Sequence, residues 1–204
     1  MKTHRSSVLL LAAVLAAAAP PARSQDVTEA GSGVKFAVRE SEKSLLGLGL
    51  RTRTFLKVKV YAIGFYVADT ALSGPLAAFK GQTTSPAFYR ALIETDFPKE
   101  VRLRFVRDLA ADQIQGAMRE ALAKADKARV DQFVAYFPAI KVGDDCVLRW
   151  APGGTLETIM AGVPKPPIAD KAFASALFGV WLGDKPIQDD IKKGLVSRAG
   201  ELIK

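Results

Sequence analysis

The sequence predicts an α+β fold built on an antiparallel sheet. Strand-like segments are grouped in the first half, at residues 34–38, 44–50 and 54–68. A region with helical periodicity follows, and then a hairpin and further helices close the chain. This order of blocks differs from the strict strand–helix alternation that is typical of parallel sheets. With 49% hydrophobic residues among 204, the chain can bury a core.

Residues 1–24 have the features of a secretory signal. A basic start containing Lys2 precedes the apolar run 8–19, and small residues occupy the positions before a cleavage site after Ser24. The run is shorter than the roughly 20 apolar residues that a membrane-spanning helix needs, which argues against the alternative of an uncleaved anchor. We expect residues 25–204 to form one domain that works in a bacterial periplasm or is secreted.

Removal of this segment would exclude several classes of enzyme. His4 is the only histidine and Cys146 the only cysteine, so residues 25–204 cannot form the usual zinc site, a Ser-His-Asp triad or a Cys-His pair. We expect no metal and no cofactor. Cys146 falls within a strand-like segment, where a small buried apolar residue is a more common role than a reactive thiol.

The basic charge is modest and scattered. The formal net charge of +8 falls when the predicted signal is removed. Lys57 and Lys59 alternate with Leu56, Val58 and Val60, which is typical of a strand with one solvated face. Nucleic-acid binders concentrate their charge beside aromatic platforms, so no nucleic-acid partner is expected. A transient contact with an anionic membrane surface stays open as a hypothesis.

The first half of the chain is predicted to be mostly strands. Residues 44–50 and 54–68 carry the strongest β signals, rich in Val, Phe, Tyr and Ile. A short helix is expected at 75–80. Two further strands are predicted at 89–96 and 100–107, joined by a hairpin turn at residues 97–99.

In the second half of the chain the spacing of apolar residues becomes that of a helix. Apolar residues recur every three or four positions through 110–125, which predicts an amphipathic helix with Asp108 as its cap, and a second helix is expected at 127–136. The turn sequence Pro152-Gly153-Gly154 predicts a hairpin between strands at 145–150 and 155–161.

Two helices are expected at the C-terminus. Asp170 can cap a helix with an apolar interior that ends at Gly183, and Asp184 can cap the next. In that last helix an apolar stripe recurs at four-residue spacing and consists of Ile187, Ile191 and Leu195.

Three segments carry a resemblance to a known family. They are Gly49-Leu50-Arg51, the sequence VYAIGFY at residues 60–66, and WLGDKPI at residues 181–187. With these segments the chain resembles the chalcone isomerase superfamily from about Val34 to Leu195. The resemblance implies an open-faced β-sandwich, in which helices cover a large antiparallel sheet and a ligand cleft lies between them. The superfamily includes isomerases and non-catalytic proteins that bind fatty acids, so membership alone does not fix the activity.

The family's isomerase residues are mostly absent from this chain. The arginine that holds the substrate falls on Arg51, with Arg53 as a possible substitute. The four supporting polar residues fall on Tyr61, Ile114, Ala121 and Val180. Three of these four are hydrocarbons, and loss of a single oxyanion donor typically costs about 10² to 10³ in rate. Chalcone ring closure is therefore not expected, and no catalytic residue is assigned.

Arg51 and Tyr61 resemble the arginine and tyrosine that the fatty-acid-binding members of the family use. The resemblance therefore implies a ligand-binding role for both residues. Arg51 would hold the carboxylate of a fatty acid or similar apolar molecule through its planar guanidinium, and Tyr61 would donate a further hydrogen bond. Side chains from the helical layer are expected to line the cleft: Ile114, Met118, Ala121, Phe178, Val180 and Trp181.

Other interpretations stay open. The main alternative is an isomerase or intramolecular lyase that acts on a small apolar substrate, with Arg51 as electrophile and Tyr61 as acid. Haem binding would lack the usual histidine ligand, and the cleft could instead be vestigial in a partner-binding protein. Arg51 could also be a solvated flank, Tyr61 a half-buried strand aromatic, and Phe178 and Trp181 plain core.

Overall fold

The fold is an antiparallel sheet with helices over one face. The computed structural model describes residues 25–204; the predicted signal at 1–24 lies outside the described residues. The strands are β1 (Asp26–Thr28), β2 (Lys35–Ala37), β3 (Arg39–Glu40), β4 (Lys43–Arg53), β5 (Val58–Ala68), β6 (Lys99–Phe105), β7 (Asp145–Ala151), β8 (Thr155–Met160), β9 (Val163–Pro164) and β10 (Ile168–Ala169). The helices are α1 (Asp69–Ser73), α2 (Pro86–Glu94), α3 (Ala111–Ala121), α4 (Lys127–Val134), α5 (Lys171–Leu182), α6 (Asp189–Gly194) and α7 (Ala199–Leu202), with a 3₁₀ helix at Ala77–Phe79.

Eight strands form the main sheet in the order β10-β8-β7-β6-β5-β4-β3, with β9 paired to β8. All neighbouring pairs are antiparallel. Strands β1 and β2 form a separate hairpin. The predicted α+β class and the open-faced arrangement of sheet and helices are confirmed.

The two faces of the sheet differ in what covers them. Because side chains alternate along a strand, Tyr61, Ile63 and Phe65 of β5 point to one face and join the main core with the helices. On the other face Ala62 and Tyr66 pack beneath the β1–β2 hairpin in a smaller cluster. A ligand cleft between sheet and helices can therefore form only on the first face.

The second face also carries ion pairs around the fully buried Glu100. Its carboxylate accepts hydrogen bonds from Arg102 and from Arg149 Nε, the latter at 2.8 Å. Burial raises the pKa of Glu100, but these two guanidinium groups outweigh it and hold the pKa below its usual range. Glu100 thus stays ionised on this polar face.

The strand predicted at residues 89–96 is wrong, because this segment belongs to helix α2. Ser85 caps the helix by accepting a hydrogen bond from Phe88 N at 3.2 Å, and Pro86 occupies its first turn. Phe88, Tyr89 and Leu92 are buried on one helical face. Burial of that face outweighs the β propensity of the aromatic residues. Residues 97–99 accordingly link a helix to a strand rather than closing a hairpin.

The strand predicted at 54–68 is also too long. The chain turns at residues 54–57, so Leu56 lies in an exposed turn and β5 begins at Val58. The backbone is left-handed at Thr54 (φ 64°) and Lys57 (φ 50°). A β-branched residue and a lysine give no sequence signal for such a conformation.

Two predicted helix caps are wrong. The Asp108 carboxylate accepts hydrogen bonds from Val142 N at 2.9 Å and from Lys141 Nζ at 3.1 Å, and α3 begins only at Ala111. Helix α6 begins at Asp189, so Asp184 lies too far upstream to cap it.

Other predicted elements are confirmed. The 145–150 and 155–161 hairpin corresponds to β7 and β8, and the Asp170 carboxylate caps α5 by accepting from Phe173 N at 3.0 Å. Cys146 is fully buried. Within residues 25–204 the structure contains no helix of the length and hydropathy needed to span a membrane.

Candidate functional site

Arg51 and Tyr61 lie directly opposite each other on strands β4 and β5. Residues paired in this way on antiparallel strands have Cβ atoms about 5 Å apart on the same face of the sheet. Tyr61 belongs to the helix-covered core, so both side chains lie on the face that the helices cover. The two predicted ligand-binding residues are thus brought together by strand register.

Only one nitrogen of the Arg51 guanidinium forms hydrogen bonds within the described residues. Its Nη1 donates to the Ile187 carbonyl oxygen at 3.1 Å and to Gln188 Oε1 at 3.4 Å. Within residues 25–204 no carboxylate forms an ion pair with it. Burial lowers the pKa of Arg51, but an arginine keeps its charge at any physiological pH. A cation with unused donors therefore remains for an anionic ligand.

Tyr61 is available as a hydrogen-bond donor. Its side chain is buried, and its hydroxyl oxygen accepts a hydrogen bond from Trp181 Nε1 at 3.1 Å. In the described part of the chain the hydroxyl donates to no acceptor. Burial raises the pKa of Tyr61, although the Trp181 hydrogen bond and the Arg51 charge lower it, so the phenol stays protonated at neutral pH. Its proton can point to a ligand oxygen.

Gln188 fixes the strand on both sides of Arg51. Its Nε2 donates to the Leu50 carbonyl oxygen at 3.2 Å, and its Oε1 accepts from Thr52 N at 3.1 Å. Gln188 directly precedes α6, so the start of this helix positions the arginine. Sequence reasoning missed this residue, and no local signal reveals a contact between positions 138 apart in the chain.

Glycines allow α6 to approach β4 closely enough for that contact. A Cβ on Gly47 would lie 2.1 Å from the Gly194 carbonyl oxygen, and a Cβ on Gly194 would lie 2.2 Å from the Leu48 carbonyl oxygen. Both distances are far below van der Waals contact. The alternating glycines before Arg51 thus make room for the helix that holds it.

A mainly apolar cavity of about 330 Å³ opens beside Arg51 and Tyr61. Strands β4 and β5, the start of α3 and the segment before α6 surround it. Its walls consist of Arg51, Arg53, Thr54, Val58, Val60, Tyr61, Arg107, Leu109, Gln113, Ile114, Ala117, Met118 and Ile187. Its volume is within the range of small-molecule sites, and most of its surface is hydrocarbon.

A second, more polar cavity of about 680 Å³ adjoins the first. The two share Arg51, Arg53, Ala117 and Ile187. The second cavity lies between the C-terminal end of α3 and helix α5, and charged side chains surround it: Glu120, Lys124 and Lys185. Arg51 therefore stands at the junction of an apolar and a charged compartment.

The six predicted lining residues divide into three pairs. Ile114 and Met118 line the first cavity. Ala121 and Val180 line the second. Phe178 and Trp181 belong to the lining of neither.

Those last two residues have other positions. Phe178 packs in the core against Phe65 and Trp150, with ring centroids 6.2 and 6.0 Å apart. Trp181 reaches the site only through its hydrogen bond to Tyr61. Sequence reasoning also missed Leu109 and Val60. Strict alternation would place Val60 on the face opposite Tyr61, but the register shift between the Arg51–Tyr61 and Thr52–Lys59 pairs brings it to the cavity.

The arrangement favours binding over chemistry. Arginines and one phenol line an otherwise apolar cavity, and the Oε1 of the nearby Gln113 already accepts from Ala110 N at 3.0 Å. The sole cysteine of the described residues is buried, and burial raises its pKa, so it is not a reactive thiolate.

Sequence relatives include proteins of both functional types. The chain is 25% identical to Fatty-acid-binding protein 2 of Arabidopsis thaliana over 206 aligned residues, which cover 86% of this chain and 51% of that protein. It is 26% identical to Chalcone–flavanone isomerase 1A of Glycine max, over 69% of this chain and 75% of the isomerase. The chain thus spans about half the length of the first relative and most of the second.

Solved structures agree on the fold. A crystal structure of an Arabidopsis thaliana fatty-acid binding protein superposes with a TM-score of 0.77 at 18% identity, covering 88% of this chain and 99% of that one. The sequence model that describes chalcone isomerase-like proteins matches residues 26–197. The resemblance seen in the sequence is confirmed, and the chain belongs to the chalcone isomerase-like family.

Proposed function

We propose that this protein binds a fatty acid, or a similar apolar carboxylate, in the cleft between sheet and helices without transforming it. The observation that carries this proposal is the pairing of Arg51 with Tyr61 at the edge of the first cavity. A guanidinium and a neutral phenol on one face form a site for two carboxylate oxygens. The fatty-acid-binding relatives support the same ligand class.

The acyl chain would occupy the first cavity. Val60, Leu109, Ile114 and Met118 offer hydrocarbon there, and each buried methylene contributes about 0.8 kcal/mol. The carboxylate would meet the free donors of Arg51 at the junction with the second cavity. Export to the periplasm remains part of the proposal, and it rests on residues 1–24.

Extraction of the purified protein with organic solvent tests the proposal. Mass spectrometry of the extract should detect co-purified fatty acids in the parent, and their amount should fall at least about tenfold in Arg51→Ala, because a charge-assisted hydrogen bond contributes about 1.5–3 kcal/mol. Arg53→Ala is the matched control, since Arg53 lines the same cavities but pairs with Val58 rather than Tyr61.

The two variants also show whether Arg51 or Arg53 binds the carboxylate. Loss of ligand in Arg53→Ala and not in Arg51→Ala would assign the anchor to Arg53. Absence of fatty acids from the parent extract, together with no thermal stabilisation by added fatty acid, would contradict the proposal.

An isomerase or intramolecular lyase is the alternative function. The isomerase relative and the proximity of the Arg51 cation to a protonated Tyr61 favour it. Against it, Ile114, Ala121 and Val180 supply no donor for a developing oxyanion. Decay of naringenin chalcone above its spontaneous rate, lost in Arg51→Ala, would support the enzyme.

A further inference from the structure

Four large hydrophobic side chains of the described residues are exposed. The exposed fraction is 91% for Phe55, 69% for Leu56, 64% for Val142 and 54% for Val163. Single exposed hydrophobic residues are common on protein surfaces, but a shared location indicates an interaction site.

All four lie at the same end of the main sheet. Phe55 and Leu56 form the hairpin tip (residues 54–57) between β4 and β5. At that end Gly143 N donates to the Phe105 carbonyl oxygen at 2.9 Å, which places Val142 beside the last residue of β6. Val163 pairs with Met160 at the end of β8, whose partner strand β7 begins there. From β5 to β9 the apolar residues span about four strand spacings, or ~19 Å.

Neither packing nor turn geometry explains the hairpin tip. Phe55 and Leu56 contribute little to the core at their exposure. The left-handed residues Thr54 and Lys57 close the turn, although glycine, asparagine or aspartate would adopt this conformation with less strain. Two bulky apolar residues at the centre of such a turn indicate a role outside the fold.

The strands flanking the hairpin tip carry only positive charge. Arg51, Arg53, Lys57 and Lys59 lie between positions 51 and 59, and the chain contains no acidic residue from there to Asp69. Among residues 25–204, Arg53 and Lys57 form no ion pair. At the hairpin tip, apolar side chains flanked by unpaired cations match the chemistry of an anionic lipid surface, whereas beside Val142 the Lys141 charge is paired with Asp108.

We propose that this end of the sheet docks on an anionic bilayer, with Phe55 and Leu56 inserted at the headgroup level. Insertion of these side chains removes hydrocarbon from water, and each nearby lysine or arginine is attracted to the anionic headgroups. These contributions give reversible binding rather than permanent anchoring.

The same end opens into the ligand cavity. Arg53, Thr54 and Val58, which flank or belong to the hairpin tip, are lining residues of the first cavity. An apolar molecule leaving the bilayer at this point would enter a cavity that Val60 and Ile114 also line. Docking therefore places the cavity where an apolar ligand is most concentrated.

Co-sedimentation with vesicles tests the docking. The parent binds vesicles of equal parts phosphatidylcholine and phosphatidylglycerol, and high salt weakens the binding. The double substitution Phe55→Ser with Leu56→Ser reduces binding at least about tenfold, since it removes the inserted hydrocarbon. Lys57→Gln reduces it less, and the matched control Lys80→Gln, an exposed lysine at the other end of the sheet, leaves it unchanged.

A tryptophan probe reports the depth of insertion. Phe55→Trp is quenched by brominated lipid in anionic vesicles, whereas Ala78→Trp, at an exposed position beyond the other end of β5, is not. The native Trp150 and Trp181 are buried and give the same background in both variants. Both substitutions are at exposed positions, so thermal unfolding should match the parent.

Several results would overturn the proposal. They are equal sedimentation of the double variant and the parent, equal binding to pure phosphatidylcholine vesicles, and quenching in the Ala78→Trp variant as strong as that in Phe55→Trp. Concentration-dependent dimerisation that the double variant abolishes, without vesicle binding, would assign the patch to a second copy of the chain. All variants share the same residues 1–24, so differences between them arise at the substituted positions.

Membrane docking and ligand binding can fail separately. Arg51→Ala should lose extracted fatty acid but still sediment with vesicles. The double variant should bind added fatty acid at equilibrium but acquire it from vesicles at least about tenfold more slowly.

Discussion

At the scale of single residues, Tyr61 has two roles that one substitution can separate. Its oxygen accepts from the buried Trp181 N–H, and its own proton is free to point to a ligand in the cavity that Tyr61 lines. In Tyr61→Phe the indole N–H loses its partner, which should destabilise the fold by about 1–3 kcal/mol. Fatty-acid affinity should fall about tenfold through loss of the donor.

Chemical denaturation and a fatty-acid titration measure the two effects. Tyr89→Phe is the matched control, because it removes a hydroxyl that forms no hydrogen bond within residues 25–204 and lies on helix α2, away from both cavities. An unchanged affinity in Tyr61→Phe would contradict the donor role.

Lys99 is a second residue whose environment is unusual. It is fully buried at the start of β6, and its Nζ donates to the carbonyl oxygens of Ile93 at 3.1 Å and Thr95 at 2.9 Å. The Nζ also lies 3.8 Å from the centroid of the Trp150 ring. Burial lowers the pKa of Lys99 to about 7. The Asp96 charge raises this pKa and the Lys171 charge lowers it, and the carbonyl groups and the ring also favour the ammonium form.

The lowered pKa of Lys99 predicts a pH dependence of stability. Between pH 7 and the pKa of about 10.5 that a lysine has when unfolded, the unfolded chain binds more protons than the folded protein. The free energy of unfolding should therefore rise with pH above 7, by at most about 1.4 kcal/mol per pH unit. Lys99→Met should remove this slope, and the exposed-site control Lys80→Met should keep it.

Urea denaturation between pH 7 and 8.5 provides the measurement. The Cys146 thiol, whose pKa burial raises in the fold, begins to ionise in the unfolded chain toward pH 8.5 and lowers the slope equally in the parent and the variants, so the comparison between them isolates Lys99. The same slope in Lys99→Met and the parent would mean that Lys99 stays charged when folded, held by the carbonyl groups and Trp150.

At the scale of elements, sequence patterns predicted most of the fold but not the segments set by tertiary contacts. The hairpin at Pro152-Gly153-Gly154 and the Asp170 cap follow from local turn and cap chemistry, and the structure has them. Helix α2 has the amino-acid composition of a strand. It is nevertheless helical, because packing of its apolar face against the core decides its conformation. The turn at 54–57 could not be predicted, because neither Thr54 nor Lys57 is typical of a left-handed backbone.

The close contact of α6 with β4 makes a prediction about Gly47. In Gly47→Ala the new methyl group would overlap the Gly194 carbonyl oxygen, so the helix must shift. We expect a loss of about 1–3 kcal/mol in stability, as in other overpacked cores, and weaker fatty-acid binding because Gln188 would move away from Arg51. Thermal denaturation and ligand titration measure the two effects.

Gly116→Ala is the matched control for this substitution. Nothing lies within 4 Å of a Cβ at this exposed position of α3, so alanine should stabilise the helix by about 1 kcal/mol. A neutral Gly47→Ala would show that α6 is not held in place by close approach to the strand.

At the scale of the whole molecule, the candidate site joins residues that are distant in sequence. Arg51 and Tyr61 were predictable as a pair because both belong to family motifs, and the register of β4 and β5 explains why they meet. Gln188 lies 137 positions from Arg51, and only the docking of α6 on the sheet brings them together. Phe178 and Trp181 have the same apolar character as true lining residues, so sequence alone could not separate core from cleft.

The shape of the cleft makes a prediction about ligand length. The first cavity is bounded by β5 and α3 and holds about 330 Å³, with Arg51 at the side shared with the second cavity. In a series of saturated fatty acids, affinity should rise about fourfold per methylene, from about 0.8 kcal/mol each, until the apolar walls are filled. Longer chains should bind with constant affinity, since extra methylenes would extend toward the hairpin tip and water. Met118→Trp should shorten the chain length at which the plateau begins, and Phe79→Leu, far from both cavities, should not. Isothermal titration calorimetry of the series measures these affinities. The same affinity for every chain length would mean that the acyl chain lies outside the cavity.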